Sequence, residues 1–279
     1  MSAGNILGWL PVRSYGTRQA FQEANPSDRE DQILGALNSD KRNRSLLSPA
    51  EGLNGITVGA WHADTYINAP TDFQTIDPFP NGVLPNVSSA VGLGYLKTIK
   101  PDLLYDGGRE LVRASEDQGH IWLAPVPGGR YAGQLSAAPD EQGTGRLNLR
   151  RRTIGTSNAT ALLTRAAVRI YDGLIESGYQ VPASHRAVLL KALLVHGAEW
   201  GNAGERLEEL FGPAGRGYLQ RRENVARFLG YGRPNISRVL DCVAELATLF
   251  GFGELPLDTE DLFDIPLPRP SMARLKLGD

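Results

Sequence analysis

The feature that most constrains the fold is a glycine turn, Gly155-Thr156-Ser157, that runs directly into a long amphipathic segment. From Ala159 to Leu174 the apolar residues recur at helical spacing, which predicts a helix with one buried stripe. Gly178 stands where the C-terminal cap of that helix is expected. The helix therefore has two marked ends, and Ser157 lies at the first of them.

A serine at this position has two interpretations. It can be an N-cap whose hydroxyl satisfies unpaired backbone N–H groups of the first turn, and position alone favours this interpretation. It can also be a nucleophile held at the positive end of the helix dipole. Ala159, Thr160 and Ala161 are small enough for a substrate backbone to approach Ser157 closely, which favours the second interpretation.

The remaining patterns predict an α/β fold, because short apolar runs alternate with helical periodicities. The run ITVGA at 56–60 is typical of a buried parallel strand. Ser27 and Glu30 have capping-box spacing ahead of a predicted helix. Frequent turn residues from Ile121 to Thr153 indicate hairpins.

Two further helices are predicted near the end of the chain. The segment 184–196 is apolar almost all round, so we expect it to be buried on most faces. The segment 236–250 has one apolar stripe and Asn235 as its cap. The residues after Gly253 predict one strand and then a linker or tail.

Charge and composition exclude several classes of function. Lys and Arg number 29 against 31 Asp and Glu, so no global field favours nucleic acid or an anionic membrane. The one basic cluster, RLNLRRR at 146–152, lacks aromatic residues for base stacking and is interpreted as a solvated strand edge. The single cysteine, Cys242, is assigned to core packing, and no apolar run is long enough to span a membrane. We expect a cytoplasmic protein.

Five segments resemble motifs of the subtilisin-like serine peptidases (subtilases, peptidase S8 family), and they follow one another along the chain in the family's order. GTSNA matches the nucleophile motif Gly-Thr-Ser-x-Ala of that family. The other four are SAGN at 2–5, ITVGA at 56–60, IKPDLLYDGG at 99–108 and GYGRPNISRVL at 230–240. The resemblance covers roughly residues 2–250. It is greatest to bacterial subtilases that accompany a partner ATPase in phage-defence loci.

The resemblance implies a three-layer α/β/α fold with a mostly parallel sheet, truncated at its N-terminus. It places a partial catalytic domain at 1–253 and a C-terminal strand and tail at 254–279. The implied activity is that of a serine endopeptidase in which Ser157 attacks the scissile carbonyl. Asn5 would donate to the oxyanion, unless it is an ordinary turn asparagine.

The residues beside these two are implied to bind substrate. Ser2, Ala3 and Gly4 would form one wall of the primary specificity pocket, and Gly155 and Thr156 would complete the site beside Ser157. The expected partner is a peptide or protein substrate, with neither nucleic acid nor a membrane. A partner ATPase or a missing N-terminal half is a further expected partner.

The catalytic Asp and His of the family precede the SAGN segment, and here only Met1 precedes it. Of the four histidines, His196 is interpreted as packing in a helix and His62 as a structural or rim residue. We therefore expect this chain to be inactive, or nearly so, when alone. The alternative is a pseudo-peptidase that binds peptides without cutting them.

No cofactor is expected. The histidines are far apart and no zinc-ligand spacing occurs. The stretch DTYINAPTDF at 64–73 offers oxygen ligands for a structural calcium ion but forms no clear motif. The glycines at 92–94 lack the strand-to-helix setting of a nucleotide-binding loop and are interpreted as turns.

Overall fold

The computed structural model describes residues 1–64, 75–82, 84–126, 128, 132–212, 217–240, 251, 256–260 and 262. These residues form a mixed α/β structure, which confirms the predicted class. The described helices are α1 (Arg18–Glu23), α2 (Pro26–Ser39), α3 (Thr156–Glu176), α4 (Arg186–His196), α5 (Gly201–Phe211), α6 (Tyr218–Leu229) and α7 (Ile236–Leu240). The described strands are β1 (Leu10–Val12), β2 (Val58–Trp61), β3 (Thr75–Ile76), β4 (Leu103–Asp106), β5 (Leu111–Asp117), β6 (His120–Val126), β7 (Gln134–Ala137), β8 (Arg150–Thr153), β9 (Ala198–Glu199) and β10 (Arg233–Pro234).

Parallel pairing surrounds β2. This strand pairs with β4 in parallel register, from Val58 opposite Leu103 to Trp61 opposite Asp106. On its other side, Val58 forms a parallel bridge with Ser2. All four residues of β2 are buried. The prediction of a buried parallel strand at ITVGA is therefore confirmed.

The other ladders of the described residues are antiparallel. One sheet has the order β1-β6-β5-β3, and the pairs β7-β8 and β9-β10 stand apart from it. Gln118 and Gly119, which join β5 to β6, both have positive φ, as a two-residue hairpin turn requires. Because only two residues join β5 to β6, these two strands pair in opposite directions. The expected mostly parallel sheet is not confirmed.

Helix α3 has the ends and the buried stripe that its sequence predicts. Ala159, Leu163 and Ile170 are each no more than 3% exposed. Beyond its last turn, Gly178 has a φ of +83°, and the N–H of Tyr179 reaches back to the carbonyl of Leu174 at 3.0 Å. Gly178 is thus the predicted C-terminal stop.

Helix α2 exists, but its predicted capping box is wrong. Asn25 is the cap, and its side-chain oxygen accepts a hydrogen bond from the N–H of Ser27. Glu30 is fully buried and forms an ion pair with Arg206 of α5, with Nη1 and Oε2 2.6 Å apart. The spacing matched a capping box, but the tertiary ion pair determines where the Glu30 side chain lies.

Helix α4 is less buried than its apolar sequence predicts. Leu189, Leu193 and Leu194 are its buried residues, whereas Val188 is 70% exposed and His196 is exposed. The expectation of burial on most faces is therefore wrong for this helix.

The described chain divides into two compact units. The first consists of 1–165 with 198–234, and its apolar core is built by residues of β1, β5, β6, α2, α5 and α6. The second consists of 166–197 with the described residues from Asn235 onward. The predicted helix at 236–250 is described only to Leu240, while Cys242 and most of the predicted strand and tail at 254–279 lie outside the described residues.

Candidate functional site

Asn5 and the turn before α3 lie in direct contact. The side-chain Oδ1 of Asn5 accepts hydrogen bonds from the backbone N–H of Thr156 at 3.0 Å and from the Thr156 hydroxyl at 3.2 Å. Because these donors hold Oδ1, the Nδ2 group of the same amide is the end that can donate a hydrogen bond elsewhere. Asn5 is exposed, and its Nδ2 has no hydrogen-bond partner among the residues that the structure describes.

Gly155 is required at this contact. Its φ of +120° lies in the region that favours glycine. A Cβ built on it would stand 2.8 Å from Oδ1 and 2.9 Å from Nδ2 of Asn5, closer than real side chains approach. The N–H of Gly155 also donates to the carbonyl of Gly107 at 2.8 Å, which ties the turn to the loop after β4.

Ser157 is the second residue of α3 and its side chain is accessible. The carbonyl of Gly155 accepts hydrogen bonds from the N–H groups of Asn158 and Ala159, so Gly155 is the cap residue directly before α3. Ser157 is exposed, and its hydroxyl has no partner among the described residues. The interpretation of Ser157 as an N-cap is therefore wrong, since the cap position belongs to Gly155.

Asn158 was not singled out from the sequence, although it follows Ser157 directly. Its Nδ2 donates to the carbonyl of Thr153 at 2.8 Å and lies 3.0 Å from the Thr153 hydroxyl. This contact fixes the end of β8 beside the first turn of α3. A polar amide directly after the serine was the available signal.

Two of the three residues before Asn5 contact the same turn through the hydroxyl of Thr156. Oγ1 of Thr156 lies 2.5 Å from Oγ of Ser2 and accepts from the N–H of Gly4 at 3.3 Å. Thr156 is fully buried, so its hydroxyl connects Ser2 and Gly4 to the turn from the interior. Ala3 is 2% exposed and packs into the core, and its N–H donates to the carbonyl of Val58, so the expectation that Ala3 forms a wall of the substrate pocket is wrong.

His62 is a buried structural residue. Its Nε2 lies 3.0 Å from Oδ1 of Asp77 and its Nδ1 lies 3.1 Å from Oδ1 of Asn86. Burial raises the pKa of Asp77, but the bonds and charges of His62 and Arg109 outweigh burial and lower it to about 2. With both ring nitrogens occupied in the interior, His62 is not positioned as a base for Ser157.

This buried network supports the loop against which Gly155 rests. Nδ2 of Asn86 donates to the carbonyl of Gly108 at 3.1 Å. Oδ2 of Asp64 accepts from the N–H groups of Arg109 and Gly133 at 3.3 and 2.8 Å. Sequence reasoning missed Asn86 and Asp77, and it noted Asp64 only as part of a possible calcium stretch, since the partners of these residues are distant in the chain.

None of the other described histidines is bonded to Ser157. His196 is the last residue of α4. Nδ1 of His120 is buried in β6 with no partner in the described structure, and His185 stands at the start of α4. The sequence-predicted Ser157 and Asn5 are thus brought together with Ser2, Gly4 and Thr156, and no described histidine is bonded to Ser157.

The described residues contain no group of three or more His, Cys, Asp or Glu side chains arranged to hold a metal ion. Most of the candidate calcium stretch, 65–73, lies outside the described residues. No described helix has the length and apolar character needed to cross a membrane. Comparison of the chain with protein-family models, curated proteins and solved structures gave no match.

Proposed function

We propose that this chain carries the nucleophile and oxyanion half of a serine endopeptidase site. The observation that carries the proposal is that Asn5 is bonded to Thr156, the residue before the exposed Ser157, so that its Oδ1 is fixed while its Nδ2 stays unbonded in the described structure. In acyl transfer a nucleophilic oxygen attacks the scissile carbonyl, and a side-chain amide donates to the oxyanion that forms.

The helix position supports the same chemistry. Ser157 lies in the first turn of α3, where the helix dipole places partial positive charge and where the N–H of Ser157 has no partner within the helix. Both effects stabilise negative charge that develops on the substrate carbonyl oxygen. Neither effect removes the proton from the serine hydroxyl, so a general base is still required.

The base must come from outside the described site. His62 is bonded inside the interior, and the Ser157 hydroxyl lacks a partner among the described residues. In the proposed activity a group outside the described site, such as one on another chain, supplies this base. The same observation favours a second candidate, a peptide-binding module that retains the cleft and does not cut.

The proposed fold is the three-layer α/β/α arrangement of the subtilases. Support for it is local: β2 has a parallel neighbour on each side, Ser2 on one and β4 on the other. Ala3 donates to the carbonyl of Val58 at 2.9 Å, and the N–H of Val58 donates to the carbonyl of Met1 at 2.8 Å. Asn5 therefore follows the end of a short parallel segment, the position from which polar residues of α/β proteins reach a ligand.

The test is labelling by a fluorophosphonate probe, followed by peptide mapping. We expect slow but selective modification of Ser157, accelerated by added imidazole, which supplies the missing base. Ser157→Ala should abolish the modification. Ser177→Ala, which removes an exposed serine just beyond the other end of α3, should leave it unchanged.

Two outcomes would contradict the proposal. Labelling spread over exposed serines without preference for Ser157 would show that Ser157 is not an activated nucleophile. Labelling of the chain alone at the rate of an intact subtilase would show that the base is already present. Selective labelling of Ser157 that imidazole does not accelerate, with peptide binding intact, would favour the binding module.

A further inference from the structure

The hairpin of β7 and β8, with its connecting loop, carries an unusual density of arginine. We define the arginine arm as residues 134–153, which include Arg146, Arg150, Arg151 and Arg152. We propose that this arm selects acidic segments of protein substrates and guides them to Ser157. The inference rests on the proposed function and adds the chemical class of its substrate.

The arm is attached directly to the candidate site. β8 ends at Thr153, whose carbonyl and hydroxyl are held by the side chain of Asn158, the residue after Ser157. Arg151 precedes Thr153 by two positions, which is roughly 7 Å along an extended strand. A bound segment that reaches Ser157 therefore passes within a few residues of the arm.

Strand alternation places Arg151 on the same face of the hairpin as Thr153. Residues two apart in a strand share a face. Ser136 lies opposite Arg151 in the ladder, and its hydroxyl lies 3.2 Å from the hydroxyl of Thr153. Arg150 is the neighbour of Arg151 in β8 and lies opposite Ala137, so its side chain is on the other face of the hairpin. The arm therefore presents positive charge on both faces.

Two charges of the arm have no acidic partner within the described structure. Arg150 and Arg151 are exposed, and neither has an acidic partner among the described residues. Asp140, the acidic residue of the arm that does form bonds, accepts from the hydroxyl of Thr144 and the backbone N–H of Arg146. By contrast, Arg206 is paired with two carboxylates. The arm is thus a local positive patch on a chain with a net charge of −2.

The other side chains of the arm favour a protein partner. Nucleic-acid grooves combine positive charge with aromatic rings on which bases stack, and 134–153 contains no Phe, Trp or Tyr. Instead the arm exposes two leucines, Leu135 at 55% and Leu147 at 102%. Apolar contacts next to arginines match an acidic polypeptide segment that also carries apolar residues.

The test compares two fluorescent peptides that differ only in charge, one with several Glu residues among Ala and Leu and a twin with Gln at the same positions. Both are titrated against the Ser157→Ala chain by anisotropy. We expect the acidic peptide to bind about tenfold more tightly at low salt, as two or more exposed charge pairs allow. The double variant Arg150→Gln/Arg151→Gln should abolish the difference, and salt should weaken it.

A matched control variant has the same net charge as the arm variant. Arg42→Gln/Arg113→Gln removes two exposed arginines elsewhere in the first unit and should retain the preference. Equal affinity for the two peptides, or an equal loss in the control, would overturn the inference. Tighter binding of a single-stranded oligonucleotide or of anionic vesicles that depends on Arg150 and Arg151 would also overturn it.

A second readout connects the arm to the serine and separates the two proposals. Each peptide is made with a phosphonate warhead, and modification of Ser157 in the wild-type chain is timed with imidazole present. The acidic form should react faster, and the arm variant should remove that advantage. If neither form labels Ser157, the peptidase proposal fails, while the anisotropy titration still decides whether the arm binds acidic segments.

Discussion

The side-chain oxygen of Asn5 accepts a hydrogen bond from the backbone N–H of Thr156 at 3.0 Å, although the two residues are 151 positions apart. This bond orients the amide: with Oδ1 held against the turn, Nδ2 is directed away from Thr156. The pairing also holds the start of α3, and therefore Ser157, against the first residues of the chain. A single contact thus couples the orientation of the proposed oxyanion donor to the position of the proposed nucleophile.

Substitution of Asn5 separates these two roles. Asn5→Asp keeps an oxygen for the Thr156 N–H and loses the Nδ2 donor. We expect thermal stability close to wild type and a fall of roughly two to three orders of magnitude in the imidazole-assisted labelling of Ser157, since one oxyanion donor is lost. Asn5→Ala should lose both labelling and some stability. Labelling of Asn5→Asp at the wild-type rate would assign Asn5 a structural role only.

Gly155→Ala should displace Asn5. Alanine must adopt a φ of +120° and place its Cβ 2.8 Å from Oδ1. We expect a loss of about 1–3 kcal/mol in the free energy of unfolding, typical of a strained backbone position, together with slower labelling of Ser157. Gly143→Ala is the control, because Gly143 has a φ of +63° and open space around it. Equal losses in both variants would mean that strain alone, and not contact with Asn5, explains the effect.

The elements that were predictable from sequence depend on neighbouring residues. Helix α3 follows from the spacing of Ala159 to Leu174, and its stop follows from Gly178, whose positive φ suits glycine. The buried strand β2 follows from a short β-branched run. In each case the residues that determine the element lie within it or directly beside it, so the local pattern was sufficient.

The elements that were not predictable depend on distant partners. Glu30 had the spacing of a capping box, but Arg206 lies 176 positions away and holds its carboxylate. The burial of His62 depends on Asp77 and Asn86, and no local pattern marks that network. Asn5 was singled out only through resemblance to a family, because its partner Thr156 is almost as far along the chain.

Asp77→Asn should weaken the fold at neutral pH and not in strong acid. Burial opposes the charge on Asp77, but His62 and Arg109 lower its pKa from 3.8 to about 2. A depressed pKa stabilises the folded state above the unfolded value, and this stabilisation disappears as the pH falls from about 4 to 2. We expect Asp77→Asn to be less stable than wild type by about 2 kcal/mol at pH 7, with the difference closing below pH ~2.

The measurement is urea unfolding across this pH range. Asp117→Asn, which alters an exposed carboxylate of β5, is the matched control and should follow the wild-type curve. A difference between Asp77→Asn and wild type that stays constant with pH would mean that lost packing, and not the charge of Asp77, explains it.

Glu110→Gln should change the pH dependence of stability in the opposite direction to Asp77→Asn. Glu110 is fully buried, and burial raises its pKa, although a bond from Ser88 and the charges of His62 and Arg44 partly offset this. Because the folded pKa exceeds the ordinary 4.5, the folded state loses stability as the pH rises from 4.5 through that raised value. Glutamine is neutral throughout and keeps an oxygen for the Ser88 N–H, which donates to Oε2 at 2.8 Å.

We therefore expect Glu110→Gln to match wild type in acid and to be more stable at neutral pH. Urea unfolding across the same pH range measures the stability of both variants. As the pH rises, the stabilities of Asp77→Asn and Glu110→Gln should diverge from wild type in opposite directions. Oε1 of Glu110 is buried without a hydrogen-bond partner in the described structure, and the amide of glutamine avoids leaving an ionised oxygen there. A Glu110→Gln variant less stable than wild type at neutral pH would show that the carboxylate is ionised and stabilised by Arg44.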